Sequence, residues 1–189
     1  MFAIAADEIH VLMSVLLCFS GQIGSGKSSV SKAVAKALGW SRTGFGEYLR
    51  NEVTRLGGDP NGRRALQDLG QMRVDDDPVA FCRDVLNAGG FKPGDDFVID
   101  GIRHISIFEI LAQLGKPSNA RLLYLRASES ARMARVEVRS DSSDFARASR
   151  HRVEAELSDM LPQRAHGIVS ADQSLDCVVS DCLNLVQKW

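Results

Sequence analysis

The stretch GQIGSGKSS at residues 21–29 constrains this chain more than any other, because its spacing is G-x-x-x-x-G-K-S. An apolar run at 14–19 precedes it, and an amphipathic helical pattern at 27–38 follows it. A glycine-rich turn between a strand and a helix lets several backbone N–H groups converge on a phosphate at the helix N-terminus. The stretch therefore predicts a strand, a phosphate-binding loop and a helix in direct succession.

The loop also predicts which nucleotide groups its side chains contact. The Lys27 ammonium group is expected near the β- and γ-phosphates, and the Ser28 hydroxyl is expected to be a ligand of Mg²⁺. The cofactors predicted from the loop are therefore ATP and Mg²⁺. The residues predicted to hold the nucleotide are Gly21, Gln22, Ile23, Gly24, Ser25, Gly26, Lys27, Ser28 and Ser29.

Apolar runs alternate with amphipathic helical patterns along the rest of the chain. Because alternating strands and helices form a parallel sheet covered on both faces, the pattern predicts one α/β domain over residues 1–189. Residues 1–12 are expected to be an N-terminal extension, with Met13 as a natural start. Strands are expected at 14–19, near Trp40, and at 97–100, 121–125 and 167–170. Helices are expected at 27–38, 46–56, 62–72, 78–87, 105–114, 129–139, 144–158 and 174–187.

The composition argues against several classes of protein. With a net charge of −1, the chain lacks the basic excess of nucleic-acid-binding proteins, so no nucleic-acid partner is expected. The apolar run at 11–20 is too short to cross a bilayer, and Asp7 and Glu8 precede it where a secretory signal carries positive charge. Neither the cysteines nor the histidines have metal-ligand spacing. Each of the four cysteines lies in an apolar stretch, so they are expected to be reduced, buried thiols of a cytoplasmic protein.

Three charged residues outside the loop are candidates for the reaction. Asp100 ends the apolar run FVID, so its carboxylate should emerge at the carboxyl edge of the sheet beside the loop, where it can hold water bound to Mg²⁺. The alternative is a plain turn residue before Gly101. Arg50 and Arg103 are candidates to clamp a phosphate of the acceptor, because a planar guanidinium suits paired oxygens. A solvated helix face is the alternative for Arg50.

Arginines are concentrated in segment 121–152, where they outnumber the acidic residues. Arg132, Arg135 and Arg139 lie at i, i+3 and i+7, so they share one helix face. A solvated face and an RNA-binding patch are the alternatives, but few aromatic side chains are interleaved for base stacking. Arginines that close over a phosphoryl group stabilise the charge of its transition state, which favours a role in phosphoryl transfer.

Several segments resemble the nucleoside-monophosphate kinases of the P-loop superfamily. TGFGEYLRNEV (43–53) resembles the S-T-G-D-x-L-R-x-E-V segment of adenylate kinases, and FVIDGIRH (97–104) resembles their L-D-G-F-P-R segment. Segment 120–139 is similar to the strand and helix that lead into the lid of these kinases. Segment 140–154 is similar to their short acidic lid and the helix that follows it. The chain also resembles the dephospho-coenzyme A kinases of the same superfamily.

The resemblance implies a fold and a set of site residues. The fold is a three-layer P-loop kinase domain with a five-stranded parallel sheet in the order 2-3-1-4-5 and a short lid. Thr43, Gly44, Arg50 and Arg103 are implied to hold the acceptor. The residues implied to act in catalysis are Lys27, Asp100, Arg135, Arg139 and Arg152.

The sequence departs from adenylate kinases in the acceptor motifs. D-G-I-R lacks the proline of D-G-F-P-R, and the glutamine that contacts the adenine edge would fall at Ile107. The aspartate that follows T-G would fall at Gly46 or Glu47.

Taken together, the loop, the candidate residues and the resemblance predict an ATP-dependent kinase. It is expected to transfer the γ-phosphoryl group to a small phosphorylated, nucleotide-like acceptor, a nucleoside or deoxynucleoside monophosphate. A dephospho-coenzyme A kinase is one alternative, and an ATP-binding switch or slow ATPase with a nucleic-acid or protein partner is another.

Overall fold

The computed structural model describes residues 14–137 and 159–189. The strands in these ranges form one parallel sheet with the order β2-β3-β1-β4-β5. The order that the resemblance implies is thus confirmed. The strands are β1 Val15–Ser20, β2 Ser41–Gly44, β3 Phe97–Ile102, β4 Asn119–Arg126 and β5 Gly167–Ser170.

Helices connect these strands, and their bounds agree with the sequence pattern in most places. One predicted helix continues to Asp76 instead of ending at 72, because neither glycine nor proline occurs between residue 72 and Pro78. A short helix at Leu161–Arg164 was not expected, and the helix predicted at 144–158 lies outside the described residues. The helices in the described ranges are α1 Lys27–Leu38, α2 Phe45–Arg55, α3 Arg63–Asp76, α4 Pro78–Ala88, α5 Ile105–Leu114, α6 Glu129–Glu137, α7 Leu161–Arg164 and α8 Leu175–Val186.

The sheet has a hydrophobic core on each face, as a parallel sheet requires. Every residue of β1 is buried, and its side chains alternate between the two cores. Leu16 and Cys18 belong to the core that α2, α4 and α5 cover, whereas Leu17 and Phe19 belong to the core that α1 and α8 cover. The domain therefore has three layers.

The carboxyl ends of β1, β2 and β3 meet at one edge of the sheet. Gly44 at the end of β2 pairs with Asp100 in β3, and Phe19 in β1 pairs with the same Asp100. The register between β1 and β3 then shifts, so that Ser20 pairs with Ile102. This irregularity falls where β1 enters the glycine loop, and it places Asp100 directly beside that loop.

Two further expectations can be compared with the structure. Among the described helices, none combines the length and the apolar character that crossing a bilayer requires. The cysteines are all free thiols; Cys18, Cys82 and Cys182 are buried, but Cys177 is exposed. The expectation of four buried thiols is therefore wrong at Cys177, which lies on the solvent side of α8.

Candidate active site

The glycine loop between β1 and α1 has backbone angles that require glycine. Gly24 and Gly26 have φ values of 81° and 85°, in the left-handed region. A Cβ atom on Gly24 would lie 2.6 Å from the carbonyl oxygen of Arg132, at the start of α6. The loop is therefore packed closely against α6, and α1 begins immediately after it at Lys27.

The polar groups of the loop fit a bound nucleotide. The hydroxyl oxygen of Ser25 is buried without a hydrogen-bond partner, and the side chain of Lys27 reaches back over the loop, where its Nζ donates to the Gln22 carbonyl oxygen at 3.3 Å. Oδ1 of Asp100 is likewise buried without a hydrogen-bond partner. Unsatisfied buried groups are costly, so their presence at one place indicates a site completed by a ligand.

Protein side chains alone do not supply a complete metal site here. Within residues 14–137 and 159–189, no group of three histidine, cysteine or acidic side chains could hold a metal ion. Mg²⁺ usually keeps several waters and takes its other ligands from one or two protein groups and from phosphates. The Ser28 hydroxyl and the Asp100 carboxylate would hold it in this way, together with the phosphates of ATP.

A cavity of about 530 Å³ joins the loop to the residues predicted to bind the acceptor. Its wall includes the loop residues Ile23, Gly24, Lys27 and Ser28 together with Asp100. Arg50 on α2 and Arg103 after β3 line the same space. Donor and acceptor residues predicted from separate motifs thus lie around one cavity.

Thr43 and Gly44 are not among the residues that line this cavity. Thr43 is buried in β2, where its side chain lies against Gly89 at the end of α4. Gly44 is buried beside Asp100, since a Cβ atom there would lie 3.4 Å from the Cβ of Asp100. Gly46 and Glu47, on the first turn of α2, line the cavity instead. In this structure Thr43 and Gly44 therefore pack within the sheet that supports the cavity.

The remaining loop residues predicted to hold the nucleotide do not line the cavity. They are Gly21, Gln22, Ser25, Gly26 and Ser29, which form the turn and the first turn of α1.

The arginines of α6 contact the loop from outside. Arg132 Nη1 donates to the Ile23 carbonyl at 3.3 Å, and Arg135 Nη1 lies 3.4 Å from the carbonyl oxygens of Gly24 and Ser25. Arg135 also donates to the Ala171 carbonyl after β5. In this structure Arg135 therefore supports the loop, whereas Arg139 and Arg152 lie outside the described residues.

Sequence reasoning missed Arg42, a cavity residue in β2. Its Nε donates to Ser31 Oγ at 3.1 Å and its Nη1 to Glu47 Oε2 at 3.0 Å, while its Nη2 lies 3.7 Å from Asp100 Oδ2. The hydrogen bond from Arg42 holds the pKa of Glu47 below its ordinary value of 4.5. No motif marks Arg42, because its partners come from three different elements.

Sequence reasoning also missed Gln67, on α3. Its Nε2 atom is buried without a hydrogen-bond partner, and the side chain lines the cavity. Apolar side chains surround this half of the space, among them Leu49, Leu66 and Phe81. Ile107, at the position where adenylate kinases would have a glutamine, lines the cavity as a further apolar residue. The polar pattern of α3 gives no sign that one amide faces inward.

Comparison with known proteins gives matches in sequence and in structure. No family model matches the chain. It is 31% identical over 101 residues to a UPF0200 protein of Aeropyrum pernix, an alignment that covers 53% of each chain, so the match spans about half the length of that relative. It is 29% identical over 168 residues to a UPF0200 protein of Pyrobaculum aerophilum, covering 85% of this chain and 90% of the relative. A cytidylate kinase of Pyrobaculum neutrophilum is 28% identical over 136 residues, or 72% of this chain and 66% of that protein.

Solved structures of kinases have the same fold. A gluconokinase from Sinorhizobium meliloti superimposes with a TM-score of 0.62 at 20% identity, covering 93% of each chain. A shikimate kinase from Bacteroides thetaiotaomicron superimposes with a TM-score of 0.60 at 15% identity, covering 93% of this chain and 99% of that one. The fold of this chain is therefore that of the P-loop kinases, and the predicted resemblance is confirmed at the level of the fold.

Proposed function

We propose that this protein is an Mg²⁺- and ATP-dependent kinase whose acceptor is a small phosphorylated molecule, a nucleoside or deoxynucleoside monophosphate. The observation that carries the proposal is the single cavity around which the phosphate loop, Asp100, Arg50 and Arg103 lie together. Phosphoryl transfer is catalysed chiefly by positioning and by electrostatic stabilisation, and these residues supply both.

Each side chain has a separate task in this reaction. Bound Mg-ATP supplies the phosphoryl group. Lys27 would stabilise charge on the β- and γ-phosphates while the bond to the leaving oxygen breaks, and Ser28 and Asp100 would fix the metal and its water. Arg50 and Arg103 would grip the phosphate of the acceptor and hold one of its oxygens in line with the transferred group.

The walls of the cavity favour a planar base over a polyol. Gluconokinase and shikimate kinase are named for polar, hydroxylated acceptors, whereas the wall of this cavity includes Leu49, Leu66, Phe81 and Ile107 beside polar side chains such as Asn61 and Gln71. An apolar slot suits the faces of a heteroaromatic ring. The buried Nε2 of Gln67 would then donate to a ring nitrogen or carbonyl oxygen at the edge of the base.

The test is ADP release from Mg-ATP in the presence of a panel of acceptors. The panel contains the ribonucleoside and deoxyribonucleoside monophosphates, dephospho-coenzyme A, gluconate and shikimate. We expect one monophosphate to raise ADP release by orders of magnitude above the rate without acceptor. Stimulation by dephospho-coenzyme A alone would make a ribose hydroxyl the nucleophile, and a uniform slow rate would favour a switch or slow ATPase; either result rejects the proposal.

The site variant and its matched control each replace one lysine of α1. Replacing Lys27 with alanine should lower the stimulated rate by about 100-fold or more, because one donor to the developing charge is lost. Lys36 is exposed on the same helix and does not line the cavity, so Lys36→Ala should keep the wild-type rate. A wild-type rate in both variants would assign the ADP release to a contaminating enzyme.

A further inference from the structure

The guanidinium group of Arg42 is held from three sides. Ser31 of α1 accepts its Nε hydrogen bond at 3.1 Å, and Glu47 of α2 accepts its Nη1 hydrogen bond at 3.0 Å. On the third side, Nη2 lies 3.7 Å from Oδ2 of Asp100 in β3. The Arg42 side chain is only 13% exposed, so its charge sits inside the wall of the cavity.

The same contact distinguishes the two oxygens of Asp100. Oδ2 faces Arg42, whereas Oδ1 is buried without a hydrogen-bond partner. The Asp100 side chain is 6% exposed, and a carboxylate buried to this degree needs a nearby positive charge. Arg42 supplies that charge and leaves Oδ1 as the oxygen with unused acceptor capacity.

A second chain of contacts links Arg42 to the phosphate loop. The Ser31 hydroxyl, which accepts from Arg42, itself donates to the backbone carbonyl of Ser28 at 3.2 Å. Ser31 is fully buried, so this link is shielded from solvent. Arg42 therefore contacts the side chain of Asp100 directly and the backbone of Ser28 through one hydroxyl.

We infer that Arg42 is a positioning residue that orients Asp100 and Ser28 for the metal. Through Glu47, Arg42 also couples these two residues to α2, the helix that carries Arg50. The inference rests on the proposed function. Partners of metal-binding groups fix the orientation of those groups, and replacing such a partner typically costs about 10- to 100-fold in metal affinity. The fixed fork of the guanidinium can satisfy Ser31, Glu47 and Asp100 at once, which a single ammonium group cannot do.

The experiment measures Mn²⁺ binding to the full-length protein saturated with ADP, by electron paramagnetic resonance. ADP affinity without metal is measured alongside by calorimetry. In Arg42→Met, which keeps a long apolar stem, we expect Mn²⁺ affinity in the ADP complex to fall about tenfold or more. ADP affinity without metal should stay within about twofold, and Arg42→Lys should recover only part of the loss.

Two further variants separate positioning from a merely structural role. Ser31→Ala breaks the link to Ser28 and should also weaken Mn²⁺ binding, so the inference is testable even if Arg42→Met fails to fold. Arg55→Met is the control, because Arg55 is an exposed arginine of α2 that pairs with Glu52 and does not line the cavity. It should bind Mn²⁺ like the wild type.

The results separate the inference from the function on which it rests. Unchanged Mn²⁺ affinity in Arg42→Lys and Ser31→Ala, with only a lower melting temperature, would overturn the role of Arg42 and leave the kinase proposal in place. A wild-type protein that binds neither ADP nor Mn²⁺-ADP would overturn both. Weaker Mn²⁺ binding in these variants supports the role of Arg42 even if no acceptor on the panel is phosphorylated.

Discussion

Under the proposed function, Gln67 is the side chain expected to donate a hydrogen bond to the base of the acceptor. Gln67→Leu replaces a half-buried amide, whose Nε2 has no hydrogen-bond partner, with a group that suits the neighbouring Leu49 and Leu66. We expect stability to be kept or slightly raised, because the cost of an unsatisfied buried donor disappears. The KM for the acceptor should rise about five- to tenfold, as expected for the loss of one hydrogen bond of roughly 1 kcal/mol. Steady-state kinetics with the monophosphate found by the panel measures this change.

The control for this prediction is Gln113→Leu, at an exposed position of α5. It should leave the acceptor KM unchanged. If Gln67→Leu keeps wild-type stability and its KM for the acceptor is also unchanged, the amide does not contact the acceptor.

Glu47 gives a prediction for pH. Its pKa is lowered in the folded protein by the hydrogen bond from Arg42, and the charges of Arg42, Lys32 and Arg50 act in the same direction. A carboxyl group with a lowered folded pKa stabilises the fold above its unfolded pKa, and this stabilisation is lost as pH falls through the folded pKa. Wild type should therefore be more stable than Glu47→Gln at neutral pH, and the difference should shrink as the medium becomes acidic.

Urea unfolding of both proteins at a series of pH values between neutral and acidic tests this. A stability difference that stays constant down to the lowest pH would show that the Glu47 charge does not stabilise the fold.

At the scale of elements, the packing of the phosphate loop against α6 leaves no room for one added atom at Gly24. In Gly24→Ala the new Cβ would be forced to within 2.6 Å of the Arg132 carbonyl oxygen, on a backbone with φ of 81°. The left-handed backbone alone costs roughly 1–2 kcal/mol, and the clash with a backbone atom adds to it. We expect lower stability and greatly weakened nucleotide binding, measured by urea unfolding and ADP calorimetry.

Gly39 provides the matched control for the backbone term. It ends α1 with φ of 70°, and nothing lies within 4 Å of an added Cβ. Gly39→Ala should therefore lose only about 1–2 kcal/mol of stability and bind ADP normally. Equal losses of stability and of ADP affinity in the two variants would contradict a specific contact between the loop and α6.

The elements also show how far local pattern reaches. The strand, loop and helix of residues 15–38 were predictable, because their signals are adjacent in the chain: an apolar run, glycines at set spacing, then a helical pattern. The predicted end of α3 was wrong by a few residues. The helix continues until Asp77, which caps the N-terminus of α4, and Pro78, which begins that helix. Thr43 and Gly44 have the family spacing, but the packing of β2 against β3 and α4 keeps them off the cavity.

At the scale of the whole molecule, the thiols report how tightly the two cores are closed. Burial raises the pKa of Cys82 and Cys182 to about 12 and raises that of Cys18 as well, whereas Cys177 is exposed. The thiolate is the reactive form, so only Cys177 should react quickly with a disulfide reagent in the native state. The other thiols should react at the rate of unfolding.

Reaction with Ellman's reagent, followed over time, tests this for wild type and for Cys177→Ala. The wild type should show one fast thiol, and the variant none. A nucleotide that binds the folded state should slow the reaction of the buried thiols without affecting Cys177. Fast reaction of two or more thiols in the native protein would mean that at least one core opens readily.

The sequence by itself determined the phosphate loop and the place of Asp100 at the end of an apolar strand, because each depends on residues that are close together in the chain. The class of fold followed from the alternation of strands and helices along the whole chain. The alternation of apolar runs and helices also determined that the loop and Asp100 would meet at one edge of a parallel sheet. Only the tertiary structure decided which side chains complete the site. Arg42 and Gln67 become important through partners or surroundings drawn from several elements, and no spacing along the chain encodes a contact that forms only when those elements pack.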